Sequence, residues 1–392
     1  MPGTGKTFLV AGAGIAGLTL ALALAKFGAN VIVLERKAAP LEFGAGLQIS
    51  PNARKVLDRL GLDDAVRAAS LEPTGLDLYP VRARHPLLTL ELGSAMRSRF
   101  GAPYVVMHRA DLLDLLHKAT RPFANIDIQF GVGNRTAQSH DGGVTLSWDT
   151  AGQQRTGRAL ALIGADGVHS HTRTSLLQGP AAQFHGRLAW RVLLPFAALR
   201  SWIALDRVSV LFGRNYHVVC YPLSYRNAVN VALFAKGSPD MDEVGGAPAL
   251  DKTGDARLDA ILAAAGQGWT PWPMYAVETP AWHKGNIGII GDAAHAMLPF
   301  QAQGAAMGIE DAAILAPLLV SEPSAEAAFA RFETIRQARV RRVAKTSRSN
   351  GAIFHLGWPL SVARNAVIVA QGGRGHLRRL AWLYGYDPHE GR

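Results

Sequence analysis

The chain has 392 residues and a single cysteine, Cys220: enough length for two or three domains and a large core, with no route to an intrachain disulfide or a thiolate zinc site. The net charge of +11 raises nucleic acid as a partner, but the basic residues are spread along the chain, with no zinc-finger spacing, RNA-recognition aromatic motif or basic tail. Small anions such as a dinucleotide or an aryl carboxylate suit that charge better, and a reducing, cytoplasmic setting is expected.

Gly5-Lys6-Thr7 lacks the earlier glycine that a phosphate-binding P-loop needs and is expected to be a disordered leader. Residues 8–25 form an uncharged run near membrane-span length. Gly12, Gly14 and Gly17 divide it into a strand, 8–12, and a helix, 18–27, so no span is expected. Residues 30–35 read as a second parallel strand ending in Glu35, 18 residues past Gly17. In this pattern Gly12 makes a tight turn and Gly14 admits a diphosphate. Gly17 lets helix pack on strand, and Glu35 takes ribose hydroxyls. Ala16 lies inside the same turn, and Arg36 follows the acid. Strand, triplet, helix, strand and acid together predict dinucleotide binding.

The loop from Phe43 to Asn52 carries small residues and Gln48, and leads into a helix over 53–60. Residues 74–91 alternate weakly, as strands do. Arg109 sits at the start of a helix for which Asp111 is a plausible cap, and spacing alone leaves Arg109 open between an anion contact and a surface position. A hairpin is expected within 126–148, then a buried strand over 159–163 ending in Gly164-Ala165-Asp166-Gly167. After Pro180 the pattern turns antiparallel, with strands over 188–194, 207–212, 216–223 and 227–234. His217, Val219 and Tyr221 then share one face. They either line a pocket or are ordinary residues of a half-buried sheet. Residues 239–267 read as a loop followed by a surface helix.

Residues 286–290 form a short strand, and Gly291-Asp292 turns the chain toward Pro299, Gln303 and a helix beginning near Gly304 and Ala305. Asp292 suits sugar-like hydroxyls, and the free N–H groups at that helix start suit the electron-rich edge of a reduced flavin. The basic stretch 331–348 has helical periodicity and reads as a solvated face.

With three such turns in hand, the chain resembles the FAD-dependent aromatic hydroxylases, single-component flavoprotein monooxygenases with the para-hydroxybenzoate hydroxylase fold. It is most similar to the salicylate hydroxylase and 3-hydroxybenzoate 6-hydroxylase group. The carrying motifs are Gly12-x-Gly14-x-x-Gly17 with Glu35, Asp166-Gly167 with Ser170 and Arg173, and Gly291-Asp292 with Pro299 and Gln303-Gly304. The resemblance implies an α/β fold: a Rossmann-like FAD-binding domain of the GR2 type, discontinuous over 1–75, 102–180 and 276–345. An antiparallel-sheet substrate domain, 76–101 and 181–275, is inserted, and 346–392 forms a C-terminal helical tail.

It further implies FAD with NADH or NADPH as co-substrate, O2, and a small phenolic or heteroaromatic substrate bearing a carboxylate. The protein would be a monomer or homodimer, with no metal. Gly12, Gly14, Ala16 and Gly17 would hold the diphosphate, with Glu35 and Arg36 at the adenosine and Gln48 and Arg109 at the middle of FAD. Asp292 would meet the ribityl chain, and Pro299, Gly304 and Ala305 the ring. Asp166 would serve both FAD and the passing nicotinamide cofactor. A flavin hydroperoxide would hydroxylate the ring, with His217 as base titrating near neutrality and Tyr221 orienting the substrate hydroxyl. Two departures leave the substrate open: hydroxypyridine-carboxylate hydroxylases tend to have His where Gln48 stands, and 3-hydroxybenzoate 6-hydroxylases a polar amide where Pro299 stands. A flavin dehydrogenase or halogenase and a flavin-binding regulator are the competing classes, although the halogenase tryptophan motif is missing.

Overall fold

Phe8, Leu9 and Val10 of the strand Thr7–Ala11 have no exposed surface, and each such side chain contributes roughly 1.5–3 kcal/mol by leaving water. The computed structural model describes residues 1–39, 45–150, 152–240, 246–248, 250 and 253–390. In it this strand lies inside a six-stranded sheet ordered His283–Lys284, Ile287–Ile289, Ala161–Gly164, Thr7–Ala11, Asn30–Leu34, Ile126–Gln129. All neighbours are parallel except the His283–Lys284 edge. Helices Ile15–Lys26 and Gly304–Ser321 pack together in the main core. Leu9, Ala11 and Leu34 instead pack against Leu146 and Trp148 of a small sheet made of Val132–His140, Gly143–Thr150 and Gln153–Ala159. The expected strand over 159–163 therefore begins at Ala161, because Ala159 still pairs with Val144 in that small sheet.

The second large sheet has seven strands in the order Thr270–Ala276, Gln183–Pro195, Ala228–Lys236, Tyr216–Leu223, Arg207–Gly213, Gly75–Pro80, Leu88–Glu91. It is antiparallel except where Arg207–Gly213 runs beside Gly75–Pro80. A two-stranded ribbon, Gly46–Ile49 with Val105–His108, lies against it. The molecule is thus a mixed α/β fold in which one chain leaves the parallel sheet, builds the antiparallel one and returns. The start of the glycine-rich loop at Phe43 and Gly44, and much of 241–252, lie outside the described residues.

Three local expectations need correction. The N-terminus is not a disordered leader: Gly3 is buried and donates its N–H to Phe27 O, and Lys6 Nζ donates to Val320 O at 2.7 Å. Asp111 does not cap the helix Arg109–Thr120; His108 does, accepting from Ala110 N–H, while Asp111 pairs with Arg226. The expected solvated face at 331–348 holds within the 30-residue helix Ala325–Phe354, yet Arg336 on it is fully buried. The helix Gly304–Ser321 has the length and apolarity of a membrane span. It is 83% buried inside the fold, as the core helix of a globular chain is.

Arg336 goes inside because the apolar helix Gly304–Ser321 carries two adjacent acids. Its Nε donates to Asp311 Oδ1 at 2.7 Å and its Nη1 to Glu310 Oε2. Glu310 also accepts from Arg339 and from Asn52 Nδ2, and Asp311 from Gly291 N–H, with His295 Nε2 2.6 Å away. Gln303 extends the network by donating to Ser50 Oγ at 2.9 Å. Burial works against the Asp311 carboxylate, but His295, Arg336 and the Gly291 N–H outweigh it and hold its pKa at about 2.

Candidate active site

The three glycines of the first turn sit in three different surroundings. Gly12 has φ +110°, and a Cβ there would lie 2.5 Å from Ala165 O; one on Gly17 would lie 2.0 Å from Gly12 O. One on Gly14 would meet nothing within 4 Å, so only this position opens onto free space. Ala16 fills the gap between this turn and the third one, with its Cβ 3.0 Å from where a side chain on Gly291 or Gly308 would begin. Glu35 Oε2 accepts from Ala13 N–H at 2.8 Å and Oε1 from Lys37 N–H, tying the strand end to the turn, while Arg36 is exposed.

Asp166 is saturated. It accepts from Ser170 Oγ, from the Thr172 N–H and hydroxyl, and from Arg135. Arg173, fully buried, links this second turn to the third by donating to Val168 O and Ala293 O. Asp292 is exposed and has no hydrogen bond or ion pair among the described residues, and its Oδ1 lies 3.9 Å from where a Gly304 Cβ would stand. No side chain caps the helix that starts at Gly304, because Gln303 turns into the buried network. Its first N–H groups therefore remain available. Ahead of it, Ala302 takes the left-handed conformation at φ +53°, a strained position of the kind found at ligand clamps.

A cavity of about 1010 Å³ opens between the seven-stranded sheet, the stretch from Asp292 to Ala305 and the helices Ala325–Phe354 and Leu360–Arg379. Its lining includes Gln48, Arg109, Asp292, Pro299, Gly304 and Ala305 together with Arg191, His217, Val219 and Tyr221, and its apolar part includes Phe212, Phe234 and Phe300. Tyr104, also lining it, donates its hydroxyl to Gln48 Oε1, and burial raises the Tyr104 pKa well above the usual phenol value. Gly46 must be glycine, since a Cβ there would lie 2.5 Å from the Tyr221 ring; its N–H donates to Asn230 Oδ1 at 2.7 Å. The cavity has room for a planar tricyclic ring and a small aromatic molecule side by side. The open space at Gly14, the unpartnered Asp292 and the uncapped helix start are the features that FAD requires, so these residues fit that cofactor.

Within the cavity, His217 and Tyr221 are both buried and the Tyr221 hydroxyl has no hydrogen-bond partner among the described residues. Burial raises the Tyr221 pKa. His217 stacks on Phe234, with centroids 4.5 Å apart, meets the edges of Phe300 and Phe354, and places Nδ1 2.8 Å from His355 Nε2. Burial first, then His355 and Arg187, push its pKa well below the ordinary value, which overturns the expectation of an imidazole titrating near neutrality.

Sequence reasoning missed Arg191 and His355. Arg191 lies on the strand beside Ala232; it lines the cavity, its Nε is buried without a hydrogen-bond partner, and no carboxylate among the described residues pairs with it. An arginine within the apolar run from Leu188 to Leu194 was the available signal. His355 carried none, because it follows a long helix far from His217 in the chain.

A family model described as "FAD binding domain" matches residues 6–349. The chain is 32% identical to the 3-amino-4-hydroxybenzoate 2-monooxygenase PtnB3 of Streptomyces platensis, covering 96% of this chain and 95% of that one. It is 29% identical to 3-hydroxybenzoate 6-hydroxylase 1 of Aquipseudomonas alcaligenes, over 98% and 99% of the two chains. Its fold superposes on Klebsiella pneumoniae HpxO complexed with FAD and uric acid with a TM-score of 0.81, at 22% identity over 97% and 96% of the chains.

Proposed function

This chain belongs to the FAD-binding-domain family of flavoprotein aromatic hydroxylases, and from that premise we propose that it uses NAD(P)H and O2 to hydroxylate a small phenolic or heteroaromatic carboxylate. The single observation that carries the substrate class is Arg191, a buried cation lining the cavity with no acid among the described residues to pair with. A cation left so is costly unless a ligand completes it, and a carboxylate matches a guanidinium through two parallel hydrogen bonds.

In this reading the space at Gly14 takes the FAD diphosphate, with Ala16 and Gly17 shaping the turn and Glu35 and Arg36 at the adenosine. Gln48 and Arg109 flank the middle of the cofactor, Asp292 accepts ribityl hydroxyls, and Pro299 and the N–H groups at Gly304 and Ala305 face the ring. Bound FAD supplies hydride acceptance from the nicotinamide and activation of O2. Asp166, already held by Ser170 and Thr172, fixes the second turn against that cofactor. Tyr221 orients the substrate hydroxyl, His217 withdraws its proton, and the aromatic wall keeps water from the reacting atoms. The enzyme is taken as cytoplasmic, monomeric or homodimeric, and without a nucleic-acid partner.

The test is O2 consumption driven by NADH or NADPH with 3-hydroxybenzoate, 3-amino-4-hydroxybenzoate, salicylate and 6-hydroxynicotinate, with product identification. A stimulated, hydroxylating turnover with at least one acid is expected. Oxidation of the nicotinamide without any ring product from the panel would defeat the reading. Arg191→Gln should retain FAD and raise KM for the acid at least about tenfold, equivalent to ~1.4 kcal/mol, with little effect on the matching uncharged phenol.

A further inference from the structure

His217 faces a difficulty as a base. It is 1% exposed, ringed by Phe234, Phe300 and Phe354, and a protonated imidazole held there would be a buried cation with no anion among the described residues beside it. The groups facing the pair are cationic or aromatic: Arg187 and His185 from the strand Gln183–Pro195, and Arg364 of the helix Leu360–Arg379, which donates to Phe354 O. No carboxylate hydrogen-bonds to either ring among the described residues. The proton has to move on.

The geometry points to a two-imidazole relay in which His355 takes from His217 the proton that the substrate hydroxyl loses and passes it to the surface. This rests on the reading of His217 as the residue that deprotonates the substrate. The 2.8 Å contact between His217 Nδ1 and His355 Nε2 is hydrogen-bond distance, and in a neutral pair one nitrogen donates while the other accepts. With His217 Nδ1–H as donor, His217 Nε2 keeps its lone pair for the substrate. The substrate O–H bond then breaks as an Nε2–H bond forms, and the Nδ1 proton crosses to His355 Nε2. The Nδ1 proton of His355 leaves to water. No electron changes hands, and the substrate oxygen keeps the bonding pair as its negative charge. When product is reprotonated the same transfers run backwards and restore both tautomers.

His355 is placed for the exit. It closes the helix Ala325–Phe354, is 8% exposed, and lies near the exposed His185, whose charge it feels. Its own pKa is lowered to about 3, by burial first and then by Arg187 and His185, so it transmits the proton without storing it.

His355→Gln separates relay from support, because the Gln oxygen accepts from His217 Nδ1–H and holds the ring, yet passes no proton. Oxidised holoenzyme is mixed without O2 with the best-turning-over acid of the panel above, in weakly buffered solution with a pH indicator. Wild type is expected to release a proton as the bound hydroxyl ionises. H355Q should keep FAD and substrate affinity but release the proton at least about tenfold more slowly, within the range general-base losses span, and recover as pH rises and free phenolate binds. A wild-type release rate and pH profile in H355Q would overturn the relay. If that variant loses FAD, nitrogen-15 histidine NMR of wild-type holoenzyme decides: both rings should exchange tautomer when the acid binds, and unchanged tautomers overturn it. Failure of every acid to turn over in wild type defeats the functional reading instead.

Discussion

A Cβ on Gly14 has nothing within 4 Å, whereas one on Gly17 would stand 2.0 Å from Gly12 O, so two substitutions in one motif should fail differently. Gly14→Ala, at an ordinary backbone conformation of φ −78°, should leave the apoprotein within about 0.5 kcal/mol of wild type while weakening FAD at least about tenfold. Gly17→Ala should lower the apoprotein melting temperature itself. Thermal melts with and without FAD read both, and equal loss of apo stability in the two would remove the distinction. Asp292→Ala should likewise release more FAD on dialysis than Arg36→Ala does, since Asp292 lines the cavity unpartnered and Arg36 is exposed outside it. These residues were legible in the sequence because a turn that must admit a phosphate permits few side chains. Arg191 and His355 were not, because their meaning comes from surroundings distant in the chain, the cavity around Arg191 and the His217 ring beside His355. His217 was half legible: its strand face follows from alternation, but the aromatic shell that depresses its pKa comes from Phe300 and Phe354, far away in the chain.

At the scale of elements, the helix Gly304–Ser321 holds its place through the charges beneath it as well as its apolar faces. Its buried Glu310 and Asp311 meet Arg336 of the helix Ala325–Phe354, and Glu310 meets Asn52 at the start of a third. Arg336→Met removes the cation and leaves two buried acids, a change that typically costs about 3–5 kcal/mol. Urea unfolding should show it, and a loss under ~1 kcal/mol would mean that the acids find other partners. Asp311 has a folded pKa of about 2 against an ordinary 3.8. Its contribution to stability is thus fully present above that ordinary value and is lost as pH falls through about 2. Asp311→Asn should be less stable at pH 6 and lack that part of the acid-induced fall. The acids were readable as anomalies in an apolar helix. Their cation was misread, because helical periodicity shows that a residue repeats on one face but not that the face is turned inward.

For the molecule as a whole, the cavity collects residues from nearly the full length of the chain, from Gly46 to Tyr384, and no single segment reveals its charge. The net +11 of the sequence could have been spread evenly over the surface, where salt would screen it with little consequence for binding. Instead Arg109, Arg191, Arg342, Arg364 and Arg379 line one cavity, with Asp292 as its only acid among the described residues. Low-dielectric walls around like charges focus the field and raise the encounter rate of an oppositely charged ligand. An anionic aromatic acid should therefore lose kcat/KM steeply as ionic strength rises from about 0.01 M to 0.5 M, while the screening length falls from ~30 Å to under 10 Å. The loss should fall on KM, because charge at the mouth changes capture and leaves the reacting atoms as they were. The matching uncharged phenol, turned over more slowly, should show almost no salt dependence, which separates steering from a general effect of salt on the fold. Arg379→Gln, a change at the cavity lining that touches none of the residues assigned to the reaction, should flatten the salt slope for the acid and leave kcat unchanged. Equal salt slopes for acid and phenol would mean that the positive balance of the chain plays no part in choosing its substrate.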